Sequence, residues 1–398
     1  MLNVVTGSEA VEIIRNTVQK LTAAAEKVNI KDSSGHVISE DVTAAESIPP
    51  FDRSTVDGYA VCAEDTFGAG EAIPAELECS GAVAMGSPAD IEIHRGQCAE
   101  ILTGGMLPKG ANAVVMVENT RKELDSCLVY SGVAPGENIA KKGSDINAGD
   151  VAVKKGTVIG PSTIGVLAAL GIYDVPVFKK PVIAVISTGD EIVTGTPENG
   201  QIRDINTYLL SSCAEKAGCE VYSYGSVKDD KDLITAAVKK CVEAADAVLI
   251  SGGSSAGNMD MTCGILNELG TVYFHGIAVK PGKPTIFAAV NGKPVFGLPG
   301  HPLAAYFVFR LFVTEYLRAL LEQPVDKPFT KAALSQNIPS NHGREEFICV
   351  KIDGDGRAEP LYTKSGMISV LAQADGFICI PRGSEGLDAG TEVSIYSL

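Results

Sequence analysis

The first segment of the chain carries the pattern of an amphipathic helix. Between residues 8 and 28, apolar side chains recur at intervals of three and four residues, which predicts one apolar face along a helix. Thr6 and Glu9 have the spacing of a capping box at the start of that helix. A second helix is predicted over residues 162–170, and Gly171 is expected to stop it.

The middle of the chain, residues 181–324, alternates between two patterns. Short, continuous apolar runs are followed by stretches with helical spacing. Fully apolar strands that alternate with helices predict a parallel sheet covered on both faces. The predicted strands are residues 182–186, 220–227, 247–250, 272–279 and 295–297, and the predicted helices are residues 207–217, 233–245 and 302–320.

The two flanking regions are predicted to be rich in strands. Between residues 47 and 147, short apolar runs are broken by Gly, Pro and Asp, and short strands with a turn at residues 353–356 return after Pro324. We therefore expect an α/β plus β fold: an elongated multidomain chain with a central parallel α/β sheet domain, an inserted β-rich module and a C-terminal β-barrel-like domain. The expected domains are residues 1–48 with 147–180, 49–146, 181–324 and 325–398.

Composition and charge narrow the classes of partner. The chain has 398 residues, of which 45% are hydrophobic, as in an ordinary globular enzyme. It has no apolar run of membrane-spanning length and no signal-peptide pattern, so we expect a cytoplasmic protein without a membrane partner. The formal net charge of −16 argues against nucleic acid. The ten cysteines include no C-x-x-C pair and only five histidines are present, so neither disulfides nor a zinc site are expected.

Loops rich in Gly, Ser and Lys follow the predicted strands. In an open parallel sheet the ligand crevice lies at the carboxyl ends of the strands, so these loops are expected to meet at one edge. The loop over residues 251–260 has the composition of a phosphate cradle, although a plain tight turn has it too. Lys280 and Lys283 flank a Pro-Gly turn and supply positive charge for an anion. The residues of these loops that we expect to bind substrate are Ser187, Thr188, Gly252, Gly253, Ser254 and Pro299.

Carboxylates follow the same strands. Asp190, Glu191 and Asp260 would repel a phosphate unless a divalent cation joined them, and oxygen ligands beside phosphates are typical of Mg²⁺. The alternative interpretation is helix capping, for which Asp is well suited, and for Asp190 both interpretations stay open. We expect Glu191 and Asp260 to be the Mg²⁺ ligands.

Seven segments of the chain stand out, in this order: PPFDRSTVDGYAV (49–61), ILTGGMLPKGANAVVMVE (101–118), KKGSDINAGD (141–150), ISTGDEIV (186–193), SGGSSAGNMD (251–260), KPGKP (280–284) and GLPGHPLAA (297–305). Together they resemble the MoeA family of molybdopterin molybdenumtransferases, to which the gephyrin E domain is similar. Each motif alone is modest evidence, but their shared order over nearly the whole chain is highly specific.

The resemblance implies an elongated homodimer of four-domain subunits. Residues 1–48 and 147–180 would form the linker and dimerisation domain, and residues 181–324 would bind molybdopterin. In the implied reaction, adenylylated molybdopterin and molybdate give molybdenum cofactor and AMP, with Mg²⁺ assisting. The β-rich module and the tail of one subunit are expected to complete the crevice of the other. The adenylyltransferase that makes the substrate and the molybdoenzymes that accept the cofactor are further expected partners.

The family's functional residues are carried over onto the matching positions of this sequence. Three positions depart from the family's usual pattern: Asn258 stands in place of an acidic residue, His301 in place of an Asn, and Cys349 in place of an Arg. These departures bear on catalytic activity and on the choice of molybdate over tungstate. The expected catalytic residues are Asp57, Thr103, Asp145, Glu191, Asp260, Lys280 and Lys283, and further substrate-binding positions are Asp229 or Asp230, Arg344 and Ser365.

Two other functions are compatible with parts of this pattern. A molybdopterin adenylyltransferase would share the α/β domain but would not need the β-rich module or the C-terminal domain. A non-catalytic molybdopterin-binding scaffold would favour long basic or Pro-rich linkers, and the chain has none. A generic nucleotide-binding module is disfavoured because the chain has no Walker A or dinucleotide-binding motif.

Overall fold

A computed structural model describes residues 4–19, 21, 23–252, 256–362 and 367–398, with only the backbone for residues 256–258. The chain divides into two compact units. The first comprises Met1–Glu40, Lys155–Ile159 and Val175–Leu398, and the second comprises Asp41–Lys154 and Gly160–Asp174. The finer division into four domains stays a prediction.

Most helices agree with the sequence pattern, but the first one ends earlier than predicted, and residues 256–260 of the predicted loop 251–260 are helical. The predicted capping box is present: Glu9 N donates to Thr6 Oγ1 (3.2 Å) and Thr6 N donates to Glu9 Oε2 (2.7 Å). Of the described residues, no helix is long and apolar enough to cross a membrane. The helices are α1 Gly7–Val18, α2 Pro161–Ala169, α3 Asn206–Lys216, α4 Lys231–Ala244, α5 Ala256–Leu269, α6 Pro302–Val308 and α7 Thr314–Leu320, with a π-helical stretch Phe309–Val313 between the last two.

The strands are short outside the middle of the chain. In chain order they are β1 Ala25–Asn29, β2 Val42–Thr43, β3 Arg53–Ser54, β4 Gly58–Val61, β5 Ala75–Ala82, β6 Gln97–Ile101, β7 Ala113–Met116, β8 Thr120–Lys122, β9 Ser126–Val129, β10 Ile139–Ala140, β11 Val151–Val153, β12 Asp174–Phe178, β13 Val182–Thr188, β14 Ile192–Val193, β15 Ile202–Arg203, β16 Glu220–Val227, β17 Ala247–Gly252, β18 Thr271–His275, β19 Val279–Lys280, β20 Ile286–Val290, β21 Lys293–Leu298, β22 Thr330–Ala333, β23 Ile338–Pro339, β24 Glu345–Ile352, β25 Ala358–Pro360, β26 Gly376–Ile380, β27 Gly386–Leu387 and β28 Glu392–Ile395.

The first helix is shorter than predicted. It ends at Val18 instead of continuing to residue 28, and Ala25–Asn29 forms strand β1, which pairs with β12. Helical spacing of apolar residues shows that a helix is present but does not fix its last residue. The hydrogen bonds that β1 makes with a strand about 150 positions later are invisible in the local pattern.

A six-stranded sheet in the first unit has the order β16-β13-β17-β21-β20-β18. The four strands from β16 to β21 are parallel, as predicted. The prediction of a wholly parallel sheet was wrong at β20, which runs antiparallel to both of its neighbours. Asn291 and Gly292 form the two-residue turn between β20 and β21, with φ values of 52° and 78°, the left-handed conformations that an Asn-Gly hairpin requires.

Helices cover both faces of this sheet, as predicted. Successive residues of β13 point to opposite faces, so Ile183 and Val185 pack in one apolar cluster with side chains of α1, α3 and α7. Ala184 and Ile186 pack in a second cluster with side chains of α4 and α5. Burial on both sides explains why β13 is apolar from Val182 to Ile186 and does not alternate with polar residues there.

The second unit contains the predicted strand-rich segment. Its main sheet has the order β7-β4-β6-β5-β9-β8, and shorter pairs join β3 to β10 and β2 to β11. The apolar side of this sheet packs around Tyr59, Val61 and Leu77, which are almost fully buried. Strand β4 therefore contributes the core residues that follow the exposed Asp57 in sequence.

The C-terminal part of the first unit is built around β24. Strands β25 and β26 pair antiparallel with β24, and β22 pairs with β28. Strand β19 pairs parallel with the start of β24, so that Lys280 is the register partner of Glu346. This pairing brings the segment 280–284 next to residues 344–346 within the first unit.

Candidate functional site

A cleft of about 740 Å³ lies between the segment 280–284 and the start of β24. We call it the lysine cleft. All its residues belong to the first unit. Its lining residues are Val279, Lys280, Pro281, Gly282, Lys283, Pro284, Pro299, His301, Leu303, Ala304, Phe307, Pro339, Arg344, Glu346, Phe347, Ile348, Cys349, Leu361 and Tyr362.

The charged residues of the lysine cleft are three cations and one carboxylate. Lys280, Lys283 and Arg344 are exposed, whereas Glu346 is buried. Lys280 Nζ lies 2.6 Å from Glu346 Oε1 in a salt bridge. Among the residues that the structure describes, no acidic side chain forms a salt bridge with Lys283 or Arg344. These two cations are therefore available to an anionic ligand without breaking an ion pair.

Part of the lining of the lysine cleft is apolar. Phe307 and Phe347 stack with ring centroids 6.1 Å apart, and Leu303 and Leu361 line the same cavity. Burial raises the pKa of the Cys349 thiol to about 11, which keeps it protonated at neutral pH. The cleft thus combines cations for an anionic group with a surface suited to a flat, partly apolar ring.

A second cavity, of about 310 Å³, lies at the carboxyl ends of β13 and β17. We call it the edge pocket. It adjoins the lysine cleft, because His301 lines both cavities. The segment 280–284 reaches this edge because antiparallel β20 begins where the parallel strands end. The lining residues of the edge pocket are Thr188, Glu191, Ile192, Ile202, Arg203, Asp204, Ile205, Asn206, Ser251, Gly252, Gly300, His301 and Pro302.

Close packing at the edge pocket explains the glycine that ends β17. Gly252 and Thr188 are register partners on adjacent parallel strands. A Cβ atom on Gly252 would lie 1.8 Å from Thr188 Oγ1, far inside van der Waals contact. Glycine at this position therefore allows the two strands to pair up to their ends without a clash with Thr188. Gly253 and Ser254, predicted to bind substrate here, lie outside the described residues.

A buried polar network lies under the edge pocket. Ser187 Oγ donates to Asp204 Oδ1 (3.1 Å), and Ser187 has no exposed surface. Asn206 Nδ2 donates to Ser251 Oγ (2.7 Å) and to the Gly300 carbonyl (2.8 Å). The sequence prediction included Ser187 but missed Asp204 and Asn206. The only signal for Asp204 and Asn206 in the sequence I-R-D-I-N was a pair of polar residues where α3 begins, which has the composition of an ordinary helix start.

Two adjacent aspartates that the sequence could not separate have different surroundings. Asp230 is the N-cap of α4, and its Oδ1 accepts hydrogen bonds from Asp232 N and Leu233 N, both at 3.0 Å. Asp229 is half-buried, and burial, then Asp190, then Glu191 raise its pKa. Asp190 Oδ1 accepts a hydrogen bond from Asp229 N at 3.2 Å. Asp230 thus stabilises a helix, whereas Asp229 belongs to a cluster of carboxylates.

The remaining predicted site residues of the first unit are Asp260, Pro299 and Ser365. Asp260 is exposed and lies inside α5, whereas the sequence pattern had placed it in a loop. Helix α5 begins at Ala256, so residues 256–260 of the predicted loop are helical. Pro299 is buried, lines the lysine cleft, and its carbonyl accepts a hydrogen bond from Ser251 Oγ at 3.4 Å. Ser365 lies outside the described residues.

Two of the three predicted catalytic residues in the second unit are hydrogen-bonded to each other. Thr103 N and Thr103 Oγ1 both donate to Asp57 Oδ1 at 2.7 Å. These bonds, first from the backbone and then from the side chain, lower the pKa of Asp57. Both residues are exposed, as is Asp145, whose backbone N donates to the Ile48 carbonyl at 3.1 Å. Asp57 is thus a fixed, ionised carboxylate at the surface of its unit.

The carboxylates near the edge pocket do not form a complete metal cage. Within the described part of the chain, no group of three or more His, Cys, Asp or Glu side chains is arranged to hold a metal ion. Mg²⁺ does not need such a group, because it commonly binds one or two carboxylates together with waters and substrate phosphates. Burial is the main reason that the pKa of Asp229 is raised, and repulsion from Asp190 and Glu191 adds to it. A dication would relieve that repulsion. The donor set therefore fits Mg²⁺ in the presence of a phosphate ligand.

Comparison with known proteins gives consistent matches along the chain. The MoeA N-terminal region (domain I and II) matches residues 5–171, the "Probable molybdopterin binding domain" matches residues 184–319, and the MoeA C-terminal region (domain IV) matches residues 331–398. A molybdopterin molybdenumtransferase of Staphylococcus aureus (strain COL) is 35% identical over 397 residues, covering 97% of this chain and 94% of that protein. One of Bacillus subtilis (strain 168) is 34% identical over 382 residues, covering 93% and 89%.

A solved structure agrees with these matches. The molybdopterin biosynthesis MoeA protein from Pyrococcus horikoshii OT3 superposes with a TM-score of 0.85 and 35% identity, covering 99% of this chain and 100% of that chain. The mixed α/β, multidomain fold is therefore that of the MoeA proteins. Because the relatives exceed 30% identity over nearly their full length and the three matched regions follow in order, this chain belongs to the MoeA family.

Proposed function

We propose that this protein is a molybdopterin molybdenumtransferase, which inserts molybdate into adenylylated molybdopterin and releases AMP. One observation carries the proposal: a cleft with three cations and an apolar wall adjoins, at His301, a pocket formed by strand ends and lined with polar groups. A nucleotide-linked pterin with a second, anionic substrate needs both kinds of surface. The relatives that bear this enzyme name cover nearly the whole chain.

In the lysine cleft, Lys283 and Arg344 bind the molybdate oxyanion. Both side chains are exposed to the cavity solvent and neither is engaged in a salt bridge in the described part of the chain. Lys280 is half-exposed, so its ammonium can also turn toward the anion. Phe347, which stacks on the buried Phe307, supports the pterin, which presents its dithiolene sulfurs to molybdate. The Cys349 thiol takes no part, since burial raises its pKa and keeps it protonated at neutral pH.

At the edge pocket, the chain holds the phosphoanhydride. Gly252 lets the backbone approach the phosphates closely, and the predicted Gly253 and Ser254 continue the same loop. Glu191, Asp260 and the Asp229 cluster supply the oxygen ligands for Mg²⁺. When bound, Mg²⁺ would neutralise phosphate charge and stabilise the departing AMP. The carboxylates alone would repel the phosphates, so we expect substrate affinity to depend on Mg²⁺.

Asp57, Thr103 and Asp145 act in a site shared between two subunits of an elongated homodimer. The fixed, ionised state of Asp57 is suited to orienting a substrate donor group or a cation. A mixed-dimer experiment tests this proposal. Co-expression of Asp57→Ala and Lys283→Ala chains would give one intact site in each heterodimer, and we expect AMP release to recover from near zero in either parent. No recovery in purified heterodimers would contradict the shared site.

The function itself is tested by incubating purified protein with adenylylated molybdopterin, Mg²⁺ and molybdate. We expect AMP release and molybdenum cofactor formation to rise together and to require molybdate. Incubation with molybdopterin and Mg-ATP is the control for the adenylyltransferase alternative. AMP transfer onto the pterin in that control, without molybdate insertion, would overturn the proposal. Binding of the pterin with neither reaction would instead support a scaffold.

A further inference from the structure

One histidine belongs to both cavities. Among the described residues, His301 is the only one that lines the lysine cleft and the edge pocket alike, and it is the only histidine in either lining. The other ionisable side chains of the two linings belong to types whose ordinary pKa values lie outside the range from about 5 to about 8. They are Lys280, Lys283, Arg344, Glu346, Cys349 and Tyr362 in the lysine cleft, and Glu191, Arg203 and Asp204 in the edge pocket.

The backbone at His301 is fixed, whereas its side chain is not engaged. The His301 carbonyl accepts a hydrogen bond from Ala305 N at 2.9 Å, and the Gly300 carbonyl accepts one from Asn206 Nδ2 at 2.8 Å. His301 is the N-cap of α6, yet its side chain makes no capping hydrogen bond. Within the described part of the chain, the exposed imidazole forms neither a hydrogen bond nor a salt bridge. Both ring nitrogens are therefore available at the junction of the two cavities.

We propose that His301 relays protons between the two cavities. Its imidazole accepts a proton from the water that cleaves the phosphoanhydride at the edge pocket, and it passes a proton to the oxygen that leaves molybdate in the lysine cleft. This inference rests on the proposed function and adds to it a catalytic residue that couples its two steps. Imidazole suits the role because one ring nitrogen accepts a proton while the other donates one.

The proton balance of the proposed reaction requires such a transfer. At the edge pocket, the oxygen of one water bonds to a phosphorus of the anhydride, and the bridging P–O bond breaks with its electron pair on the departing phosphate. Two fully ionised phosphate monoesters replace one anhydride, so two protons are released. In the lysine cleft, lone pairs of the two dithiolene thiolates form two Mo–S bonds, and one oxygen leaves molybdenum with the electrons of its bond. That oxygen takes up two protons and becomes water, while molybdenum keeps three oxygens and its oxidation state.

The charges of the two linings favour transfer in this direction. The edge pocket is lined by two carboxylates and one cation, whereas the lysine cleft is lined by three cations and one carboxylate. An imidazolium ion is therefore stabilised on the side where it forms and destabilised on the side where it gives up its proton. Bound ligands preserve this difference, because Mg²⁺ offsets the two charges of the anhydride and molybdate only neutralises the lysine cleft.

Kinetics of the full chain with His301→Asn test the relay. Asn forms hydrogen bonds but carries no proton in this pH range, and the family's usual pattern has Asn here, so the variant should fold. We expect kcat for cofactor formation to fall about 20-fold, which is less than the usual contribution of a general acid–base because water can carry part of the proton transfer. The Kd values for AMP and molybdate should change by less than about twofold, since no ligand-binding cation is removed.

The pH profile provides a readout that a structural role would not move. In wild-type protein, kcat should fall as the pH is lowered from about 8 to about 5.5, because a protonated imidazole cannot accept a proton. His301→Asn should lose this dependence. The matched control is His342→Asn, at an exposed histidine that lines neither cavity, and it should keep both the rate and the pH profile of the wild type.

Chemical rescue tests proton transfer directly. In His301→Ala, which leaves space at the junction of the cavities, added imidazole should restore kcat several-fold. Unchanged kcat in folded His301→Asn would overturn the inference and leave the proposed function intact. A lower kcat with the wild-type pH dependence, or without rescue in His301→Ala, would show a structural role and would also overturn the inference. Failure of wild-type protein to form cofactor would instead overturn the proposed function on which the inference rests.

Discussion

The lysine cleft and the edge pocket share His301 but differ in electrostatic character. The lysine cleft is larger, with about 740 Å³ against about 310 Å³, and its exposed charged groups are cations. The edge pocket is lined by hydroxyl, amide and carboxylate groups together with one exposed cation, Arg203, and next to it burial and the neighbouring acids Asp190 and Glu191 raise the pKa of Asp229. Two adjoining cavities of one unit thus offer chemically different surfaces.

This difference shows how a strongly acidic chain can bind anions. With a formal net charge of −16, the protein repels anions at long range, so binding must come from local groups. The lysine cleft uses side-chain cations for this purpose. The edge pocket offers backbone approach at Gly252 and one cation, Arg203, beside the carboxylates Glu191 and Asp204, so a dication would add to its affinity for a phosphate. The two cavities should therefore respond differently to mutation, salt and Mg²⁺.

Removal of a cleft cation should have the largest effect. In Lys283→Ala, we expect kcat/KM for cofactor formation to fall by about 100-fold or more, corresponding to about 2.7 kcal/mol of lost transition-state stabilisation. The backbone role of this residue survives, because its carbonyl still accepts hydrogen bonds from Ile277 N and Thr285 N. Lys327→Ala, at an exposed lysine that lines neither cavity, is the matched control. A loss below threefold in Lys283→Ala would remove this lysine from the site.

The sequence predicted the exposed half of the lysine cleft but not its buried carboxylate. Lys280 and Lys283 stood out because two cations flanked a Pro-Gly turn. Glu346 did not, since its partner lies 66 positions earlier and the contact depends on the pairing of β19 with β24. Pairings of two residues between distant segments leave no periodic pattern. Local composition can therefore indicate an anion site without showing what balances its charge.

At the edge pocket, the sequence predicted the loops but not the full sheet. The carboxyl ends of β13 and β17 were predicted two residues too early, at residues 186 and 250, because the apolar pattern stops before the polar Ser187-Thr188 and Ser251-Gly252 that still belong to the strands. Strand β20 was missed although Asn291-Gly292 is a strong hairpin signal, since the alternation of strands and helices dominated the interpretation. The distinction between Asp229 and Asp230 required three-dimensional information, because both directly precede a helix and either could have capped it.

A steric change should disrupt the edge pocket and spare the lysine cleft. In Gly252→Ala, the new Cβ would lie 1.8 Å from Thr188 Oγ1, and we expect the free energy of unfolding to fall by about 1–3 kcal/mol. Affinity for AMP-containing substrate should fall more than affinity for molybdate alone, as measured by calorimetry. Gly264→Ala is the matched control: it lies in α5 with nothing near its Cβ position, and should stabilise the fold by about 0.5–1 kcal/mol. Equal loss of both ligands in Gly252→Ala would contradict independent cavities.

The smallest expected effect is a pH-dependent gain in stability in Asp229→Asn. The pKa of Asp229 in the folded state is raised above its ordinary value of 3.8, so protonation favours the folded state. That contribution is fully present below about pH 3.8 and is lost as the pH rises through the folded-state pKa. The amide removes the charge, so the variant and the wild-type protein should melt at similar temperatures at pH 3.5 and the variant a few degrees higher at pH 7.

At pH 7, Mg²⁺ should reverse the order of the melting temperatures of wild-type protein and Asp229→Asn. The variant therefore tests directly whether the carboxylates next to the edge pocket bind a metal ion. With Mg²⁺ and AMP present, the wild-type protein should gain more thermal stability than the variant, because a dication stabilises only the ionised cluster. Asp230→Asn is the neighbouring control: Asn is as good an N-cap as Asp, so neither pH nor Mg²⁺ should distinguish it from wild type. If Mg²⁺ stabilised wild-type protein and Asp229→Asn equally, the repulsion among Asp190, Glu191 and Asp229 would be a feature of the fold without a role in metal binding. The edge pocket would then not differ from the lysine cleft in depending on an added dication for anion binding.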